Sequence, residues 1–407
     1  MTPRYASFRP PRVRSVASLP RLVAFAALIH MTANMLILGC GSRPATPPAP
    51  PIVPSPTDAA ASTTSRDGAG DAVATAVTPV LPGPSIVLRH RGVNLSGGEF
   101  GACCPGVLGR DYGYPTKQDV DLMAARHVNH LRVPFRHERV QPKLQGPLDE
   151  AEWTRLIDVV TYAVSRGMSV ALEPHNSARH NSVLLTETQM GDLWGRLAQR
   201  LPPATDNVGR VWPDLTNEPH DMPTEQWLKL ALAGVREIRR VGFKGRILVP
   251  GSGWDGAHSW AASWYGTPNS SLMQDVVDQG VVFEVHQYLD QDSSGRGTEC
   301  VSETIGVERL RPFVAWLKIH GRLGYLGEIG APNTPRCAAA VRNTLLAIEA
   351  EPSMWIGWAW WSAGSRWPAT YQLSVQPLLF DAGAGAAHLG ADRPQMEWLR
   401  PFLACGT

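Results

Sequence analysis

Eight short apolar segments alternate with amphipathic helical patterns over about 320 residues, which predicts an α/β fold, a closed (β/α)8 TIM barrel. Alternation of this kind implies parallel strands joined by right-handed crossovers. A doubly wound nucleotide-binding sheet would need a Gly-rich first turn, and Asn94-Leu95-Ser96-Gly97-Gly98 is a poor match for one. The third observation is where polar residues fall: they gather at the ends of the expected strands, where a barrel of this type carries its working groups.

In chain order, Arg91–Leu95 reads as the first strand, and Thr116 caps a helix through Val120, Met123 and Ala124. Asn129–Phe135 is the second strand. The clearest helix follows, with Asp149 as N-cap, an apolar stripe of Trp153, Leu156, Ile157, Val160 and Val164, and Gly167 as its stop. Further strands are expected at Met168–His175, Val208–Glu218, Arg246–Pro250, Val281–Leu289, Leu323–Gly330 and Met354–Trp361. Helices are expected at Thr186–Leu201, Pro223–Arg240, Gly306–His320 and Arg336–Glu349. This barrel occupies 86–407.

Two segments precede it. Residues 1–40 carry a basic region with Arg4, Arg9, Arg12, Arg14 and Arg21, then an apolar run from Leu22 to Leu38 that ends in Gly39-Cys40. That is the pattern of an export leader, lipoprotein-like, with Cys40 as the lipid-bearing residue. Plain secretory cleavage and an uncleaved anchor are the alternatives, although His30, Thr32 and Asn34 interrupt the run. Residues 41–85 are rich in Pro, Ala, Ser and Thr and hold no aromatic side chain. Such a stretch cannot bury enough apolar surface to offset its chain entropy and is expected to be a disordered tether.

The formal charge of +2 gives no electrostatic footprint for nucleic acid, so no such partner is expected. Membrane attachment is expected only through a lipidated N-terminus, and the chain is expected to be a monomer, exported or held at the cell envelope. All 14 Trp lie between Trp153 and Trp398, and Trp faces suit sugars, though most are core residues in any domain. Six Cys fit an oxidising compartment. With Cys40 assigned to the leader, Cys103, Cys104, Cys300, Cys337 and Cys405 remain, at no zinc spacing.

The expected strand ends are Asn94, Arg132, His175 with Asn176, Asn217 with Glu218, His286 with Tyr288, Glu328, and Trp361. Singly, each is more often a salt-bridge or capping group; as a set facing one barrel mouth they read as a site. Two carboxyl groups across a mouth suit glycosidic bond cleavage, one protonated to assist the leaving oxygen and the other ionised. Arg132 is expected to hold Glu328 ionised while the neighbouring charge keeps Glu218 protonated, with Tyr288 hydrogen-bonded to Glu328. His175, His286 and Glu218 are also zinc-ligand types, but no pair sits at His-x-x-x-His spacing, so neither metal nor cofactor is expected.

From Gly92 to Pro377 the chain resembles glycoside hydrolase family 5, in its endo-β-1,4-glucanase branch. The matching stretches are Gly92-Val93-Asn94-Leu95, Arg132-Val133-Pro134-Phe135, Glu173-Pro174-His175-Asn176, Asn217-Glu218-Pro219-His220-Asp221, Glu284-Val285-His286-Gln287-Tyr288, Leu326-Gly327-Glu328 and Trp361-Ser362-Ala363-Gly364. The resemblance implies a retaining hydrolase of cellulose or related β-glucans. In it Glu218 would be the acid/base and Glu328 the nucleophile, with Asn217 on the sugar 2-hydroxyl. Arg132, His175, His286 and Tyr288 would form the supporting shell, and Trp361 the floor beneath the sugar. It also implies a Cys300–Cys337 disulfide, after which Cys405 could pair with Cys103 or Cys104. Relatives often carry Trp where this chain has His137 and Tyr where it has Ser177, positions that shape sugar subsites. Trp254, Trp264 and Trp367 are candidate sugar platforms, with packing as the alternative for each; Asn94 and Asn176 are further candidates for substrate contact. A sister activity on mannan or xyloglucan, or a non-catalytic carbohydrate-binding barrel, are the rival readings.

Overall fold

The computed structural model describes residues 90–101, 105–203, 209–378 and 390–403. The expected leader with Cys40, the tether, and Cys103, Cys104 and Cys405 lie outside the described residues.

Eight parallel strands form the barrel: β1 (His90–Leu95), β2 (His130–Phe135), β3 (Ser169–Pro174), β4 (Val211–Pro213), β5 (Ile247–Pro250), β6 (Val281–His286), β7 (Gly324–Ile329) and β8 (Trp355–Ala363). Their spatial order is β4-β3-β2-β1-β8-β7-β6-β5. The ring closes between β4 and β5 through a bridge from Asp214 to Leu248 and a bond from the Leu215 N–H to the Leu248 carbonyl at 3.2 Å. Around it run α1 (Lys117–Ala124), α2 (Glu150–Ser165), α3 (Glu187–Arg200), α4 (Thr224–Arg240), α5 (Ile305–His320), α6 (Pro335–Glu349) and α7 (Pro394–Leu403). Between β5 and β6 three short turns, Ala257–Ser259, Asn269–Leu272 and Met273–Asp275, stand in place of a long helix.

Local chemistry sets the helix starts. Thr116 and Thr186 each close a capping box, with Asp119 and Gln189 as the reciprocal partners. Asp149 accepts from the N–H groups of Ala151 and Glu152, and Gly167, at φ 83°, follows the end of α2. The buried face of α2 is turned slightly from the expected stripe. Val159 and Ala163 join Trp153, Leu156 and Val160 inside, while Ile157 and Val164 lie at its margin.

The strand expected over Val208–Glu218 is only three residues of ladder. Pro213 has no N–H to donate, single bonds from the Asp214 and Leu215 N–H groups to the Leu172 and Leu248 carbonyls follow it, and the chain then reaches Glu218 in the left-handed region at φ 39°. The expectation also missed a two-residue hairpin (Arg179–His180 with Val183–Leu184), the short helix His137–Val140, and α7.

Two layers of core hold the fold. Ala171, Trp212, Leu248, Val282, Tyr325, Ile356 and Ala359 pack inside the barrel, and a larger cluster lies between strands and helices. Trp194, Trp212, Trp227, Trp260, Trp358 and Trp360 are all fully buried, which settles them as packing groups; truncating one costs about 3–5 kcal/mol. Cys300 and Cys337 form a disulfide with Cα atoms 5.2 Å apart, tying the segment after β6 to the start of α6.

Candidate active site

Arg132, at the third position of β2, is fully buried and organises the mouth. Its Nε donates to Asp214 at 2.8 Å and lies 3.0 Å from Glu284; one terminal nitrogen donates to Asn94 and Glu328, both at 3.0 Å; the other donates to the Asn217 side chain at 3.1 Å. One planar fork thus fixes residues from β1, β4, β6 and β7 relative to one another.

Glu328 and Glu218 face each other above it. Glu328 accepts from Arg132 on one oxygen and from the Tyr288 hydroxyl at 2.6 Å on the other. Glu218 accepts from Nδ1 of His286 at 2.9 Å, and that nitrogen also lies 3.5 Å from Glu328. Oxygens of the two carboxyl groups and a nitrogen of His286 lie within 4.8 Å of one another. The left-handed backbone of Glu218, rare for a residue with a side chain, aims it inward; strain of this kind concentrates at working sites. Gly327 is required here because a Cβ would overlap the Glu284 carboxyl.

The electrostatics of the free site run opposite to the expected pattern. Burial and then the neighbouring Glu218 charge push Glu328 up, against His286 and Arg132. Burial would also raise Glu218, but the hydrogen bond and charge of His286 outweigh it and hold Glu218 below the usual carboxylate range. Burial opposes protonation of His286, yet Glu328, Glu218 and Glu284 together hold its pKa well above the ordinary value. His286 and Glu328 are thus shifted toward their protonated forms and Glu218 toward its ionised form. His175 is likewise raised, burial being overcome by Glu173, whose carboxyl lies 3.0 Å from Nδ1.

Sequence reasoning missed four carboxyl groups under this layer: Glu173, Asp214, Asp255 and Glu284, all fully buried. The signal was present in the period-two alternation of strands, since Glu173 and Glu284 each stand two residues before an expected strand-end His and so point to the same interior face. Carboxyl groups outnumber the cations Arg132, His175 and His286 in this cluster, and burial pushes Asp214 and Asp255 well above the usual carboxylate range.

The sugar-facing candidates divide. Asn94 is fully buried, its amide donating to the carbonyls of Gly327 and Trp360 and its oxygen held by Arg132, so it braces Arg132 instead of meeting substrate. Trp361 lies at the mouth, stacked with His175 at 5.4 Å, its indole N–H on the Tyr371 hydroxyl. Trp367 stacks on Tyr371 at 3.9 Å behind it. Trp254 and Trp264, 46% and 56% exposed, border a cavity of about 330 Å³ that also touches Glu218, His286 and Tyr288. His137 is buried, bonded to Gln141 and packed on His180, so it offers no sugar face. Asn176 faces a second cavity, and its amide bonds the Arg179 carbonyl and Glu138.

Two sets of metal-type donors, Glu218–His286–Glu328 and Asp255–Glu284–His286, are close enough to share an ion. In the first set the Nδ1 of His286 already serves Glu218 and both oxygens of Glu328 are held by Arg132 and Tyr288; in the second the Nε2 of His286 lies 3.8 Å from Asp255 and 3.6 Å from Glu284. These donors form an internal proton and charge network.

Residues 89–364 match the model of the family described as Cellulase (glycosyl hydrolase family 5). Endo-beta-1,4-glucanase B of Emericella nidulans is 34% identical over 291 residues, 70% of this chain and 85% of that protein. A crystal structure of an endo-beta-1,4-glucanase from Xanthomonas axonopodis pv. citri is 37% identical, covers 79% of this chain and 100% of its own, and superposes with a TM-score of 0.73. The structure of XacCel5A in complex with cellopentaose is 36% identical over 78% of this chain and 99% of its own, with a TM-score of 0.72.

Proposed function

The chain belongs to glycosyl hydrolase family 5 and is a glycoside hydrolase, and from that premise we propose that it cuts internal β-1,4-glucosidic bonds of cellulose or a related β-glucan with retention. The observation that carries the mechanism is the separation of the paired carboxyl groups. One oxygen of Glu218 and one of Glu328 lie within 4.8 Å, a close approach that supports the spacing of about 5–5.5 Å for direct attack over the about 6.5–9.5 Å of inversion.

In this reading Glu328, held by Arg132 and Tyr288, attacks the anomeric carbon while Glu218 protonates the departing oxygen. Glu218 then takes a proton from water, which releases the sugar from Glu328. The proton Glu218 needs is supplied by His286, whose Nδ1 is 2.9 Å away: transfer leaves a neutral imidazole and a carboxylic acid, and substrate displacing water favours that neutral pair. Asn217, whose oxygen is held by Arg132, presents its amide nitrogen to the sugar, and Trp361 lies beneath the ring. The homologue bound to cellopentaose supports a β-glucan chain as substrate. Export rests on the leader pattern alone; among the described residues no helix is long and apolar enough to cross a membrane.

Hydrolysis of defined cello-oligosaccharides followed by NMR tests this reading. The β-anomer should appear first; an initial α-anomer would exclude double displacement, and parallel assays on mannan and xyloglucan separate the sister activities.

A further inference from the structure

Beside the catalytic mouth lies a cavity of about 480 Å³ lined by Arg136, His175, Asn176, Arg179 and His220, with Glu138 as its carboxylate. The two arginines are half-buried, and their bonds go to backbone carbonyls. Arg136 donates to the carbonyls of Glu99 (2.8 Å) and His175 (3.3 Å), and Arg179 to those of Ser177 (3.0 Å), His220 (2.8 Å) and Asp221 (3.5 Å). Among the described residues neither has a carboxylate within ion-pair distance. Glu138 accepts from the Asn181 backbone at 2.8 Å and from Asn176 at 3.3 Å and keeps its charge. Carbonyl bonds likewise hold a guanidinium in place without neutralising it, and two arginines against one carboxylate leave the cavity a net positive charge on rigidly aimed donors.

The cavity shares walls with the reaction centre. His175 belongs to it and stacks on Trp361. His220 belongs to it and stacks at 3.5 Å on Trp254, which borders the cavity containing Glu218. The rings of His175 and His220 thus stand between this cavity and the aromatic groups beside the reaction centre.

We propose that this cavity binds an anionic substituent, a carboxylate carried by the glucan, and that the enzyme favours acidic β-glucans over neutral ones. This rests on the glucanase reading and narrows its substrate class. Partly desolvated arginines bind carboxylates by charge-assisted hydrogen bonds, and screening by salt weakens them.

The test compares carboxymethyl-cellulose with hydroxyethyl-cellulose of matched length and substitution, reading both kcat/KM and retardation in native affinity gels. Arg179→Gln and Arg136→Gln should lower kcat/KM on the carboxymethylated polymer about tenfold and leave the hydroxyethylated one within about twofold, the loss expected from one charge-assisted bond. Arg179→Lys should recover part of the loss, and Arg342→Gln, which removes the same charge from the exposed side of α6, should change nothing. For the unaltered protein, 0.5 M NaCl should reduce retardation by the acidic polymer selectively. Equal losses on both polymers, no loss on either, or a salt response that persists undiminished in Arg179→Gln and Arg136→Gln overturns the proposal. Arginine-dependent retardation without hydrolysis of either polymer would retain the cavity and reject the glucanase reading.

Discussion

At the scale of single residues, the site is a chain of hydrogen bonds in which each group has one task. Glu328→Ala should abolish hydrolysis while leaving retardation by carboxymethyl-cellulose in native gels unchanged. Tyr288→Phe removes one hydrogen bond to a charged acceptor, and kcat should fall roughly tenfold to hundredfold with KM little changed, measured by steady-state kinetics. His286→Asn should move the alkaline limb of the kcat profile, because Glu218 would lose both its proton source and the charge that now depresses its pKa. A merely structural His286 would lower kcat equally at every pH. Arg132 is a different case: deleting it leaves Glu173 and Glu284 buried without their cation, which costs about 3–5 kcal/mol of stability. Glu218, Glu328, His286 and Tyr288 were legible in the sequence because a polar group at the end of an apolar run is conspicuous, and Arg132 because a charge inside the run Leu131-Arg132-Val133-Pro134-Phe135 is equally so. Glu173, Asp214, Asp255 and Glu284 were not, since a carboxyl group within or beside a strand looks like an outward-facing one until its pairing is known.

At the scale of elements, what was readable depended on local chemistry. Thr116, Asp149 and Thr186 announce their helices because capping is a property of a few adjacent residues. Asp149→Ala should therefore destabilise the protein by about 1 kcal/mol, read as a lower midpoint in urea. The length of β4 was misjudged because Leu215 follows the apolar run Val211-Trp212-Pro213 at strand spacing, whereas the strand itself ends at Pro213. The hairpin at Arg179–Leu184 escaped notice because strands of two residues carry no periodicity, yet it is the loop that brings Arg179 to the substrate side. α7 was passed over although Trp398 and Leu399 lie in it; Pro401 masks its helical pattern.

At the scale of the molecule, buried histidines make the fold sensitive to acid. Burial lowers His130 to about 3 and His137 to about 4, and lowers His90 well below its ordinary value. The folded protein keeps these rings neutral, while the unfolded chain takes up protons below about pH 6.5. The stability they contribute is complete above that pH and is lost as pH falls toward the folded-state values, at roughly 1.4 kcal/mol per unit for each ring. His286 and His175 work in the opposite sense, their contribution being lost as pH rises through their elevated values. Urea midpoints measured from pH 4 to pH 7 should fall steeply toward acid, and His130→Gln should flatten the slope by the contribution of one ring.

The barrel's closure between β4 and β5 has a kinetic corollary. Along the described residues this seam carries little more than the Asp214–Leu248 bridge and the Leu215 amide bond, whereas β2 and β3 are registered over six residue pairs. Asp214 is also the residue on which the Nε of Arg132 rests. The stave most weakly joined to its neighbour is thus the one that anchors the catalytic arginine, so on warming the barrel should unzip there first. Deuterium should enter the amides around Leu215 before those of β2, and hydrolytic activity should disappear several degrees below the loss of far-ultraviolet dichroism: an enzyme that idles before it melts.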